Sequence, residues 1–117
     1  MSTPFDPLPD AYRVRLDELR VAVAEIGLVL PGTVLDRYMP CGKPGCRCQA
    51  APPLLHGPYC QWTYKVDAKT RTSRLHPDEA RALRLWTAER RKLTLLNQRW
   101  DALGLEAAAE IHELLHR

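Results

Sequence analysis

Cys41-Gly42-Lys43-Pro44-Gly45-Cys46-Arg47-Cys48, followed after seven residues by His56-Gly57-Pro58-Tyr59, is the stretch on which the fold turns. It gathers three thiols and an imidazole into sixteen residues, broken by glycines and prolines that no helix interior accommodates. Thiolate sulfur and imidazole nitrogen are the donors Zn²⁺ prefers, and four of them close a tetrahedral structural site. Gly42 and Gly45 leave the backbone free to fold tightly, so that nearby amides can point at the sulfurs. The loop from Pro40 to Pro58 is otherwise too long, and too rich in Gly and Pro, to be ordered by its own packing. A single structural Zn²⁺ on Cys41, Cys46, Cys48 and His56 is the expected organiser.

The spacing, C-x4-C-x-C-x7-H, is not one of the common paired C-x2-C patterns, so donor chemistry carries the assignment. Cys60 lies four residues beyond His56, at the start of a strand. It is either the alternative fourth ligand or a small buried core residue. Lys43 and Arg47 can lower a thiol pKa, yet no C-x-x-C helix start accompanies them, and the same cations stabilise zinc-bound thiolates. Catalytic zinc keeps an open coordination position with an acid–base group nearby. No Asp or Glu lies between Asp36 and Asp67, so the expectation is a structural metal and a protein that is not an enzyme.

Outward from this loop the pattern is mixed. Tyr12, Leu16, Leu19, Val23 and Ile26 recur at intervals of four and three, which predicts a helix over 10–27 with Asp10 as N-cap and Gly27 at C′. Gly32 to Met39 reads as a short strand. Tyr59 to Val66 and Thr70 to Leu75 form a hairpin around Asp67-Ala68-Lys69, with Trp62 and Tyr64 on one face and Gln61, Thr63 and Lys65 on the other. Arg71 is expected to join this second, polar face. Pro77 at a first helical position, with acids behind it, opens another helix. Leu83, Trp86, Leu93, Leu96, Trp100 and Leu103 then form a stripe until Gly104 interrupts it, and a short terminal helix follows to His116. The predicted fold class is α+β: an N-terminal helix, a small three-stranded antiparallel sheet with a zinc-stapled loop, and a long amphipathic C-terminal helix plus a short terminal one. All of it belongs to one domain over 1–117, divided as 10–27, 32–75 and 77–116. Trp62, Trp86 and Trp100 are read as packing residues, and His112 and His116 as a solvated i, i+4 pair.

No apolar run in the 117 residues approaches a membrane span. The opening Met1-Ser2-Thr3-Pro4-Phe5-Asp6-Pro7 has neither a basic nor an apolar leader region, so a reducing cytoplasm is expected. Net charge is only +3, but residues 1–36 hold three cations against six acids, and residues 37–74 hold seven cations against Asp67 alone. Such a concentration suits a polyanion. The expected partner is nucleic acid, double-stranded DNA by preference, with phosphate contacts from Lys43, Arg47, Lys65, Lys69, Arg71 and Arg74. Contacts of that kind give salt-sensitive affinity and little sequence choice. The alternative is a protein-interaction or homo-oligomerisation module that pairs helices through the 83–103 stripe, with zinc holding only the scaffold.

Gly32-Thr33-Val34, the Cys41–Cys48 run, His56-Gly57-Pro58-Tyr59, Lys69-Thr70 and Arg90-Arg91 together resemble a family of short bacterial and archaeal proteins of unknown function. Some members of that family are encoded near transposases or recombinases. The resemblance covers about residues 32–100. It implies Cys41, Cys46, Cys48 and His56 as the ligand set, because an aromatic residue commonly stands where Cys60 is here. It also implies a possible accessory role at a mobile element. Ala68 departs from the pattern, standing where a turn glycine is usual.

Overall fold

The computed structural model describes residues 9–116. The elements run in the order α1 (Asp10–Ala24), β1 (Thr33–Met39), a 3-10 turn at Arg47–Gln49, β2 (His56–Val66), β3 (Lys69–Arg74) and α2 (Pro77–Leu115). The three strands form one antiparallel sheet in the order β1-β2-β3, as the α+β expectation required. By internal contact the chain divides into two compact units. The helical unit is α1 with α2 from Arg91 onward, and the sheet unit is Leu28–Arg90.

In the helical unit the apolar stripe of α1 meets that of α2. Leu19, Leu96 and Leu103 are buried together, with Tyr12, Leu16, Val23 and Trp100 packed around them. The predicted seam is thus occupied within the chain over its second half: Leu96 and Leu103 face α1. Arg15 closes the edge of this contact by an ion pair with Glu106. Asp10 proves to be the first helical residue rather than the cap, which is Pro9, and α1 ends at Ala24, short of Gly27.

Gly104 does not end α2. The helix runs unbroken to Leu115, so the stretch expected as a separate terminal helix is the continuation of α2. A helical glycine costs about 1 kcal/mol. The residues on either side are held by tertiary contacts, Leu103 in the core and Glu106 on Arg15, which is enough to carry the helix through.

The sheet unit is built around β2. Val66 pairs with Lys69 across a two-residue loop in which Asp67 (φ 51°) and Ala68 (φ 64°) both adopt left-handed backbone, the geometry of a type I′ turn. On one face Trp62 stacks on Tyr64 (ring centroids 3.7 Å apart) and donates its indole N–H to the Pro31 carbonyl at 2.9 Å. Gly32 lies so close beneath this stack that a Cβ there would sit 2.4 Å from the Thr63 oxygen. Leu30 donates its amide to the Trp86 carbonyl. At the start of α2, Asp78 donates its amide to His76 Nδ1, and His76 donates its own to Glu79 Oε1. This reciprocal pair is a capping box with histidine in the cap position.

The register also corrects the expected sorting of cations. Arg71 lies opposite Tyr64 and Lys69 opposite Val66, so both share the Trp62–Tyr64 face, while Arg74 lies opposite Gln61 and shares the other face with Lys65. The hairpin therefore carries cations on both faces. No helix among the described residues is long and apolar enough to cross a membrane.

Candidate metal centre

The end of β1 and the start of β2 set the site. Met39 pairs with His56, and the intervening loop leaves and returns at that point. Cys41 stands two residues after the last residue of β1, and His56 is the first residue of β2. Between Arg37 and Met39 the register slips by a bulge. Gly57 is central to it, with φ +137° and a backbone so close to β1 that a Cβ would lie 2.7 Å from the Arg37 carbonyl. Bulges of this kind re-aim a side chain, here His56, toward the loop.

The loop then folds back through its 3-10 turn. Gln49 and Ala50 donate their amides to the Cys46 and Arg47 carbonyls at 2.9 and 3.2 Å, and Leu54 donates to Arg47 at 3.1 Å. The Gln49 side chain donates to the Lys43 carbonyl at 2.9 Å and to that of Cys41 at 3.4 Å. Gln49 is an organiser of this loop that the sequence reading missed. A glutamine beside a cysteine carries no signal of its own, and only the folded loop shows which carbonyls it reaches.

These constraints bring Cys41, Cys46, Cys48 and His56 together, with ligand atoms that all lie within 4.8 Å of one another. Cys41 Sγ and Cys48 Sγ are 3.5 Å apart, and Cys46 Sγ lies 3.1 Å from His56 Nε2. Donors about 2.3 Å from a common tetrahedral centre stand about 3.8 Å from each other, so the cluster has the dimensions of a metal cage. Cys48 is buried and the other three are half-buried. The Cys41 amide donates to Cys48 Sγ at 3.2 Å, an outer-shell bond that suits a ligating thiolate.

The Cys46 thiol is lowered to about 6, first by the Cys48 amide donating to its sulfur and then by the His56 side chain and the neighbouring thiols. It is therefore ionised at neutral pH, which is the form that binds a metal. At Cys48 the Cys41 amide works to lower the pKa, but burial and the adjacent Cys41 and Cys46 thiols outweigh it and the net direction is up. A cation placed among them would relieve that crowding of sulfur.

Cys60 does not belong to the cluster. It pairs with Asp36 across β1 and β2, and its sulfur lies 3.5 Å from an Arg84 guanidinium nitrogen that also donates to Asp36 at 2.8 Å. The residue that stands with the three thiols is His56. His112 and His116 are stacked and exposed on the last turns of α2, outside the cluster.

The residues expected to contact phosphate fall in two groups. Lys43 and Arg47 are exposed on the loop that carries the cysteines, and Lys65, Lys69, Arg71 and Arg74 are exposed on the β2–β3 hairpin. The Arg74 guanidinium lies over the Tyr59 ring, 4.0 Å from its centroid. None of the six forms an ion pair with a carboxylate among the described residues, whereas Arg13, Arg15, Arg20 and Arg84 each do.

A loop-borne cluster of three thiols and an imidazole at one end of a three-stranded sheet, with one helix before the sheet in the chain and one after it, defines a small α+β protein with a candidate metal centre. The chain belongs to the family described as Domain of unknown function (DUF6788), whose model matches residues 10–85. That span takes in α1, the sheet, the cysteine-bearing loop and the first turns of α2. No curated protein and no solved structure matches the chain.

Proposed function

We propose that the cage holds one structural Zn²⁺ and that the protein is a non-enzymatic nucleic-acid-binding module, with duplex DNA as its preferred target. The donor set supports zinc: three thiolates and one imidazole fill all four tetrahedral positions, leaving none open for a substrate or a reactive water. The observation that carries the nucleic-acid reading is the set of six exposed cations on the loop and hairpin, none paired with a carboxylate among the described residues. Unpaired guanidinium and ammonium groups keep their full attraction for phosphate.

Their placement on both faces of the hairpin suits a particular geometry. Beyond the last β1 pair, Thr33 with Thr63, the hairpin tip at 64–71 is a two-stranded ribbon, and such a ribbon fits the major groove of B-DNA, where phosphates rise on either side of it. Lys65 on one face and Lys69 and Arg71 on the other would then meet opposite walls. Thr63 and Thr72, directly paired in the register, add hydroxyls to the Lys65 face. Lys43 and Arg47, anchored by the metal, would grip the backbone beyond the groove. An accessory role at a mobile element is compatible with such binding. The assembly reading is weaker, because Leu96 and Leu103 from its stripe already pack on α1.

The test is fluorescence anisotropy with a 20-bp duplex over a range of salt. Each phosphate contact contributes about −0.9 to the slope of log K against log salt. The expected slope is steep, and Lys69→Glu with Arg71→Glu is expected to weaken binding sharply while Arg20→Glu leaves it unchanged. Salt-independent binding, or none to any DNA or RNA, sinks the reading. Native mass spectrometry of the reduced protein is expected to show one zinc per chain.

A further inference from the structure

The sheet unit also holds a cleft whose lining includes none of the four cluster residues. It opens at the end of the sheet, where β3 gives way to α2, and measures about 550 Å³. Its volume lies within the range of about 300–1,000 Å³ typical of small-ligand sites. The apolar lining comes from Pro58, Tyr59, Leu75, Pro77 and Ala80. Arg74, Arg81 and Arg84 stand around it, against a single acid, Asp36.

These arginines are not equivalent. Arg84 is committed to Asp36 and to Cys60 Sγ. Arg74 sits over the Tyr59 ring, its guanidinium carbon 4.0 Å from the ring centroid, so cation and aromatic ring are presented together at the cleft wall. Arg81 is exposed and has no carboxylate partner among the described residues. The attraction for an anion does not come from the start of α2. Pro77 has no N–H, and the amides of His76 and Asp78 are already taken by the capping box. It comes from the guanidinium groups.

An apolar floor bearing an aromatic ring, edged by cations with one guanidinium that has no carboxylate partner among the described residues, fits a ligand that is flat at one end and carries an anionic phosphate at the other. We infer that the cleft binds a single unpaired nucleotide, its base against Tyr59, Pro58 and Leu75 and its phosphate on Arg81 and Arg74. Stacking on aromatic rings and guanidinium planes is how unpaired bases are held without sequence preference. The inference rests on the nucleic-acid reading above, since Arg74 belongs both to the cleft and to the cationic hairpin. The hairpin would hold the duplex, and the cleft would take a nucleotide unstacked at its end or at a mispaired position.

Cys60 gives a readout inside the cleft. It lines the cavity and is the one cysteine of four outside the Cys/His cluster. In the zinc-loaded, full-length protein its alkylation by iodoacetamide can be followed by peptide mass spectrometry. Saturating adenosine 5′-monophosphate is expected to slow that alkylation about tenfold, and inorganic phosphate alone much less. Arg81→Glu, on an exposed helical position, is expected to abolish the protection, and Arg81→Gln to weaken nucleotide affinity about tenfold. Failure of the nucleotide to protect Cys60 overturns the inference, and persistent salt-dependent duplex binding would show that the hairpin reading survives it. Protection by the nucleotide without any duplex binding supports the cleft and sinks the hairpin. Equal protection by phosphate alone, or stronger protection by a phosphotyrosine peptide, overturns the nucleotide assignment.

Discussion

Ala68 is held at φ 64° in the turn between β2 and β3, directly after Asp67 at φ 51°. Left-handed backbone brings the Cβ of an L-residue against its own carbonyl and costs about 1–2 kcal/mol. Asp tolerates the region better than Ala does, because its side chain bonds locally. Ala68→Gly is therefore expected to stabilise the protein by about 1 kcal/mol, read as a raised denaturant midpoint at unchanged slope. A loss of stability would mean that the turn is not type I′. Gly57 is the converse case. Its Cβ would collide with the Arg37 carbonyl, at a φ of +137° that only glycine adopts readily. Gly57→Ala is expected to displace His56 and to lower zinc content below one per chain, measured by native mass spectrometry, even where circular dichroism shows both helices intact. Cys60→Ala, by contrast, is expected to leave metal content unchanged, because its sulfur faces Arg84 rather than the cage.

Among the elements, α2 tests how far local signals reach. The spacing of Leu83, Leu93, Leu96 and Leu103 announced the helix, and Pro77 its start, but Gly104 pointed to an interruption the structure does not have. Glycine weakens a helix through backbone entropy, a cost that packing can outweigh and that no sequence window can compare with packing. A Cβ at Gly104 would meet nothing within 4 Å. Gly104→Ala is thus expected to stabilise the protein by about 0.5–1 kcal/mol, and a neutral or negative result would show α2 to be frayed there. The cage shows the same division. Four donors in sixteen residues were legible because ligands, unlike packing residues, are defined by chemistry. That His56 and not Cys60 stands within reach of the three thiols was not legible, because it depends on the register of β2 against β1. The sorting of Arg71 and Arg74 onto opposite faces was hidden for a related reason. Period-two alternation fixes faces within a strand, but across a turn the face depends on register, and a one-residue slip reverses it. The cleft at Arg81 left no trace in sequence, since its walls come from β2, β3 and α2, which only the fold brings together.

If the cage holds the proposed zinc, the chain as a whole draws on two different sources of stability. In the helical unit Leu19, Leu96 and Leu103 supply a small apolar core. The sheet unit buries Leu75, Ala80 and Cys48 as its hydrophobic residues, with Gln61 and Thr87 beside them, which is little apolar area for a sheet with a long loop. A small core of that kind needs a staple, and the cage is placed to provide one by tying the end of β1 to the start of β2. The two sources should therefore fail separately. Chelating the metal from the full-length protein is expected to expose amides of residues 41–56 to rapid hydrogen exchange, while those around Leu19 and Leu103 keep their protection. Duplex affinity is expected to fall in the same experiment, because Lys43 and Arg47 lose their fixed positions. Leu96→Ala should give the opposite pattern, costing about 2–4 kcal/mol and weakening protection in α1 while zinc stays bound. If a protein shown by mass to be metal-free kept its loop amides protected, the hydrogen bonds of Gln49 and the 3-10 turn would be sufficient order by themselves. The cage would then be a binding site that the fold prepares, and the stability of the sheet would rest on the hairpin and on the first turns of α2.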